Sequence, residues 1–327
     1  MPADTQSPAA EIALLADQSL VLRVDRSVEA AVAPWIPRHR TRAADGQHRI
    51  RRAVLEVDAE GEIAAQDTIA DDRSPTLTLG GVAAVVGKDG ARLRGTAGLR
   101  GSIDLATLRA RVSLGAAPSA PDVHGGLTLA AALLLGRMGK ALVHAGALVD
   151  PHGDGWLLVG DSHSGKTTTC ATLLTAGWRY VADDQIVLGS SSDCVVAEGW
   201  PREAHLDPGW HVGELTDTRV GADLGDVRAD AWAARVIVKG LLFPSIQADR
   251  PTQLAPITAS DALARVIRQS PWLLADREVA SATLALLTRV VARSCSALLL
   301  GRDSYANADR LESCLAPVTG SEAPPVE

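Results

Sequence analysis

Aromatic side chains are scarce in this chain. Phe, Tyr and Trp make up 3% of 327 residues, so aliphatic side chains and alanine must form most of any core. Lysine is also rare, with only Lys88, Lys140, Lys166 and Lys239; each is therefore drawn from a background poor in lysine. Excess positive charge is missing too. The formal net charge is −7, which argues against nucleic acid or an anionic membrane as partner. No apolar run reaches the roughly 18 residues of a membrane span. The opening MPADTQSPAAEIALLADQSL lacks the basic segment and apolar stretch of a signal peptide, so a cytoplasmic protein is expected. Cys170, Cys194, Cys295 and Cys314 form no CxxC pair. That spacing offers neither a metal site nor a redox motif, and buried free thiols are the expected reading.

What is present is a chain of two characters. Residues 1 to about 115 read as β-rich, with partial alternation and glycine turns in 19–25, 48–65, 76–95 and 109–115. The Pro/Ala/Ser stretch 116–122 is the best boundary. Beyond it, 127–139 suits a buried helix, 140–149 a strand, and 155–159 a second strand, with a hairpin possible through the turn at 150–155. Residues 166–177 have helical content and stop at glycine. Strands are expected at 178–189, 233–245 and 295–301, and helices at 258–270, 277–293 and 307–316. The mixture predicts an α/β core. The domains are set at 1–120 (β-rich, role unassigned), 121–316 (catalytic) and 317–327 (a disordered tail).

The stretch GWLLVGDSHSGKTTTC (155–170) carries the first chemistry. Gly160, Gly165, Lys166 and Thr167 satisfy G-x-x-x-x-G-K-[ST], after an apolar strand and before a helix. Glycines let backbone amides turn inward around phosphate oxygens, and the helix points its positive end at the same anion. Lys166 is expected to bridge the β- and γ-phosphates, and the Thr167 hydroxyl to reach Mg²⁺. The nucleotide-binding set is Gly160, Asp161, Ser162, His163, Ser164, Gly165, Lys166, Thr167 and Thr168. His163 occupies a variable loop position, and a solvated side chain is the simplest reading of it.

YVADDQIV (180–187) supplies the second part, with Asp183-Asp184 at the end of an apolar run. A carboxylate there suits Mg²⁺. Adjacent residues on an extended strand face opposite ways. One aspartate can then serve the metal while the other orients and deprotonates an acceptor hydroxyl. In the segment 198–209, Arg202 is a candidate for neutralising transition-state charge, and Glu198 or Glu203 for assisting the metal, although a surface loop is the plainer reading. Lys239 reads as a structural side chain that snorkels.

Taken together, LVHAGALVDPHGDGWLLVGDSHSGKTTTCATLLTAGWRYVADDQIVL (142–188) resembles the catalytic core of the HPr kinase/phosphorylase family, which is related in fold to phosphoenolpyruvate carboxykinase. The resemblance rests on the histidine-bearing strand at His144, the loop Gly160 to Thr167, and Val181 to Asp184. It implies a P-loop kinase core of mixed β-sheet flanked by helices, ATP and Mg²⁺ as cofactors, and His144, Lys166, Asp183 and Asp184 as catalytic residues. Thr167 and Asp184 are then the metal residues and Asp183 the base. The chain departs from the family at His163, where glycine is usual, and at Thr167-Thr168, where Ser-Glu is usual. A later Pro-Gly-Arg-Asn-type segment is missing. It looks closer to the HPr kinase-related proteins of bacterial peptide-modification and polysaccharide gene clusters. The expected activity is phosphate transfer to a hydroxyl, serine on a peptide or protein first, and relatives suggest a homo-oligomer. Two alternatives stand beside it: a nucleotide-binding regulator or slow ATPase with no acceptor, and a kinase of a small molecule such as free serine.

Overall fold

The computed structural model describes residues 10–15, 19–36, 52–59, 75–200, 204–206, 220–222, 224, 230–305 and 307–319. The chain forms two compact units, residues 1–142 with 271–283, and residues 143–270 with 284–327. Each is taken in turn.

The first unit is built on an eight-stranded sheet. Its strands are β1 (Ala10–Ala13), β2 (Leu20–Val24), β3 (Ala53–Ala59), β4 (Leu77–Leu79), β5 (Val82–Val86), β6 (Gly90–Arg94), β7 (Arg100–Asp104) and β8 (Arg109–Leu114). The order is β1-β2-β3-β8-β7-β6-β5-β4. β4 to β8 form an antiparallel meander, while β3 pairs parallel with both β2 and β8. Alternation sets the inward face: Ala53, Leu55 and Val57 of β3 are buried, and Val54, Glu56 and Asp58 between them are only partly so. A short helix α1 (Glu29–Val32) precedes Trp35, whose indole N–H donates to Thr128 Oγ1 at 3.3 Å. That threonine lies on α2 (Ala120–Arg137), capped by Ser119 and buried along most of its length from Val123 to Leu135. Residues 121–142, assigned from the sequence to the catalytic region, thus lie in the first unit. The apolar run 127–135 packs α2 against the β-rich sheet of that same unit.

The second unit holds a mixed sheet. In chain order its elements are β9 (Ala141–His144), β10 (Gly146–Val149), β11 (Gly155–Leu158), α3 (Lys166–Thr175), β12 (Arg179–Ala182), β13 (Gln185–Ser191), β14 (Cys194–Gly199), β15 (Ala204–Leu206), β16 (Val220–Ala222), β17 (Arg235–Ile246), β18 (Gln253–Pro256), α4 (Ala259–Gln269), α5 (Ala280–Val291), β19 (Ser294–Leu300) and α6 (Ala308–Thr319). β9 and α5 each begin in the first unit and continue into the second. The strand order is β12-β10-β11-β17-β14-β13-β9, with β19 against β17 and β18 against β19. β11, β17 and β19 run parallel, and β10 and β11 form the expected hairpin. The result is a mixed α/β fold with two mixed sheets and helices. Among the described residues, no helix is long and apolar enough to cross a membrane.

Three sequence expectations need correction. The single strand expected over 140–149 is two strands broken at Ala145, and the one over 178–189 is two strands broken at Asp183-Asp184. In both places the chain leaves one strand partner for another. β10 pairs with β12, while β13 turns to β14. Residues 317–319 belong to α6 rather than to a tail, with Pro317 inside the helix, and 320–327 lie outside the described residues. α3 and α6 share the core of this unit, where Leu148, Trp156, Leu158, Leu173, Leu174, Leu242, Leu298, Leu311 and Leu315 are buried together. Each such leucine contributes about 2 kcal/mol on burial, so α3, and with it the preceding loop, is held from below.

Candidate functional site

The loop between β11 and α3 is set by its two outer glycines for different reasons. Val159 N–H donates to Leu242 O at 2.9 Å, holding the start of the loop on β17. A Cβ on Gly160 would lie 2.6 Å from Ser164 Oγ, so a side chain there would fill the inside of the loop. Gly165 has φ +100°, and a Cβ there would lie 2.6 Å from Leu300 Cδ1. His163 also adopts a left-handed conformation, φ +64°, and is exposed. α3 starts at Lys166 with Gly165 as N-cap and no side-chain capping bond, so its first amides have no side-chain acceptor.

Lys166 is 7% exposed. Its ammonium donates to the carbonyls of Gly160 at 2.7 Å and Asp161 at 3.0 Å. Burial lowers its pKa below the usual lysine value, and negative charge at Asp183 and Asp161 opposes the shift. Ser164 Oγ is buried and has no hydrogen-bond partner among the described residues. A desolvated cation and an unsatisfied buried hydroxyl in one glycine-lined loop are the features that an anionic phosphate chain would satisfy.

The break at Asp183-Asp184 sends the two carboxylates to different partners. Asp183 is 6% exposed and accepts from Thr167 Oγ1 at 3.1 Å and from the Tyr180 hydroxyl at 2.8 Å. Asp184 is about one-third exposed and its Oδ1 lies 3.2 Å from His144 Nε2. The sequence reading gave Asp184 to the metal with Thr167 and made Asp183 the base. The geometry instead ties Asp183 to Thr167 and Asp184 to His144, because the bend aims Asp183 back at the first turn of α3. Lys166, Thr167, Asp183, Asp184 and His144 are thereby linked through two short contacts, while Ser162 is exposed and Thr168 half-buried.

Sequence reasoning missed three residues. Tyr180 orients Asp183, and its only signal was its place on β12, three residues before the acid. Gln269 Nε2 donates to Asp161 Oδ1, and Ser270 Oγ accepts from His144 N–H at 2.8 Å. These neighbours at the end of α4 hold the loop and the histidine strand at once. No local pattern announces a contact spanning 108 residues. Glu198 is buried in β14, and Arg202 and Glu203 lie outside the described residues. Lys239 sits within β17 and pairs with Asp154 at 3.4 Å, a structural tie. Cys170 is buried, while the other three cysteines are half-buried.

Among the described residues no group of three or more His, Cys, Asp or Glu gathers to hold a metal. Mg²⁺ needs only one or two carboxylates beside substrate phosphates and water. Thr167 and Asp183 fit that demand.

No protein-family model matches the chain, and no curated protein matches it. Among solved structures it is similar to the HPr(Ser) kinase/phosphatase from Coxiella burnetii, at 21% identity with a TM-score of 0.26. The match covers 33% of this chain and spans 59% of the length of that protein.

Proposed function

We propose that the protein is a phosphotransferase that moves the γ-phosphate of ATP to a hydroxyl, with serine of a peptide or protein as the acceptor. The observation that carries this reading is the splitting of Asp183-Asp184, one carboxylate to the phosphate loop through Thr167 and the other to His144. A nucleotide-binding loop alone serves many ends. A second, partly exposed carboxylate held by an imidazole beside that loop adds a base.

In this scheme the loop amides, Lys166 and the Ser164 hydroxyl bind the phosphates, and Thr167 and Asp183 would hold Mg²⁺. When bound, Mg²⁺ neutralises charge on the transferred group. Asp184 takes the proton of the acceptor hydroxyl as its oxygen attacks the γ-phosphorus. The bond from that phosphorus to the bridging oxygen breaks, and ADP leaves. His144 positions Asp184. The base is thus Asp184 and the metal residue Asp183, the reverse of the assignment from sequence.

The test is γ-labelled ATP with Mg²⁺ and cell extract, followed by separation of products by mass. Label on a peptide or protein that disappears with Lys166→Ala and Asp184→Asn is the expected result. Label appearing only as free phosphate, or only on a low-mass product, sinks the peptide-kinase reading in favour of an ATPase or a small-molecule kinase.

A further inference from the structure

We infer that the carboxyl ends of β17 and β19, at Ile246 and Leu300, seat the base of the phosphate donor, so that the donor is a nucleoside triphosphate rather than an inorganic polyphosphate. The inference rests on the reading of the 160–167 loop as a phosphate site.

Among the described residues the exposed large apolar side chains are Ile237, at 55%, and Ile246, at 62%. A lone exposed isoleucine needs no explanation, but the position of Ile246 is particular. It is the last residue of β17 and pairs in register with Leu300, the last residue of β19. Both approach the final glycine of the loop. A Cβ at Gly165 would lie 2.6 Å from Leu300 Cδ1 and 3.7 Å from Ile246 Cγ1. The three parallel strands β11, β17 and β19 therefore bring their carboxyl ends together as loop, isoleucine and leucine, the edge at which open α/β sheets take ligands.

Sheet order gives the direction of the ligand. β10 and β12 lie on one side of β11, and β17 with β19 on the other. Thr167 turns to Asp183 just past the end of β12, so the terminal end of the phosphate chain, which those two residues would serve, belongs on that side. The other end, which carries the nucleoside, must leave across Gly165 toward Ile246 and Leu300. Ile246 is the exposed part of this aliphatic floor, and Leu300, at 9% exposure, backs it from the core. Such a surface beside a phosphate loop suits the flat apolar face of a base, and an inorganic polyphosphate has nothing to place there.

The test compares MgATP with magnesium tripolyphosphate by calorimetry on the full chain. Wild type should bind ATP on the order of tenfold more tightly. Ile246→Asn, a change at an exposed position, should lose most of that advantage and leave tripolyphosphate within about twofold; Ile237→Asn should leave both ligands unchanged. Equal affinity of wild type for the two ligands overturns the base seat. So does an Ile246→Asn variant that weakens both ligands alike or neither. Failure of wild type to bind either ligand overturns the phosphate-loop reading itself and the base seat with it.

Discussion

Each unit buries an aspartate against a turn, and the two are held in contrasting ways. Asp122, at the start of α2 in the first unit, is 1% exposed and accepts from the backbone N–H of Ala97 at 2.6 Å and from Thr96 Oγ1 at 3.1 Å. Gly95 lies so close that a Cβ there would sit 2.6 Å from Asp122 Oδ2. The carboxylate closes the turn between β6 and β7 and has no room for a ligand. Asp183, in the second unit, is nearly as buried, and among the described residues its donors are the side-chain hydroxyls of Thr167 and Tyr180. Hydroxyls can rotate away, whereas an amide in a packed turn cannot. Burial of an acid is thus no sign of function by itself. The nature of its donors separates an acid locked into a turn from one whose partners can turn away.

The contrast can be broken in steps. Asp184→Asn should have the largest effect, a loss of about 10²–10⁴-fold in transfer under single-turnover conditions with unfolding unchanged. Equal transfer by this variant would remove the base from the scheme. Asp183→Asn should retain a partner for Tyr180 while raising the Mg²⁺ concentration needed for half-maximal transfer by on the order of a hundredfold. Asp122→Ala should do the reverse. It removes the acceptor of the part-buried Ala97 amide, costs about 1–2 kcal/mol in urea unfolding, and leaves nucleotide affinity alone.

Lys166 sharpens the same point. Because burial lowers its pKa, the folded state holds this proton less tightly than the unfolded chain does. The charged side chain therefore opposes folding at neutral pH, and the penalty fades as pH rises through the folded pKa toward the ordinary lysine value. Lys166→Met should be at least as resistant to heat as wild type at neutral pH without ligand, yet fail to bind nucleotide. A marked loss of thermal stability would show that the bonds to Gly160 and Asp161 outweigh desolvation.

The smallest effect is expected at Asp303, an exposed tie between Thr252 and Arg310. Hydrogen bonding from the Thr252 hydroxyl, then from Arg310, lowers its pKa to about 2. Its contribution is fully present above the ordinary carboxylate value near 3.8 and is lost as pH falls through about 2. Asp303→Asn should therefore flatten acid unfolding between those values and leave transfer at neutral pH unchanged.

Local signals carried far along this chain. Thr258 caps α4, which was expected over 258–270, and accepts from Asp261 N–H. Gly177, at φ +93°, follows the end of α3, and the β10–β11 hairpin forms where two apolar runs flank a glycine turn. The loop residues were legible because their pattern lies within one short segment. The breaks at Ala145 and Asp183-Asp184 were not. Unbroken apolar runs read as single strands, and a change of strand partner leaves no trace in local periodicity. The ties from Gln269 to Asp161 and from His144 to Ser270 join distant segments and have no sequence signature at all.

By itself, then, the sequence determined the β-rich first part, the helices, and the strand–loop–helix with Asp183-Asp184 after it, since each depends on neighbours a few residues away. Only the tertiary structure decided which aspartate meets Thr167, which meets His144, and which apolar strand ends flank the loop. Those outcomes depend on a bend and on sheet order, and both are set by packing between segments far apart in the chain.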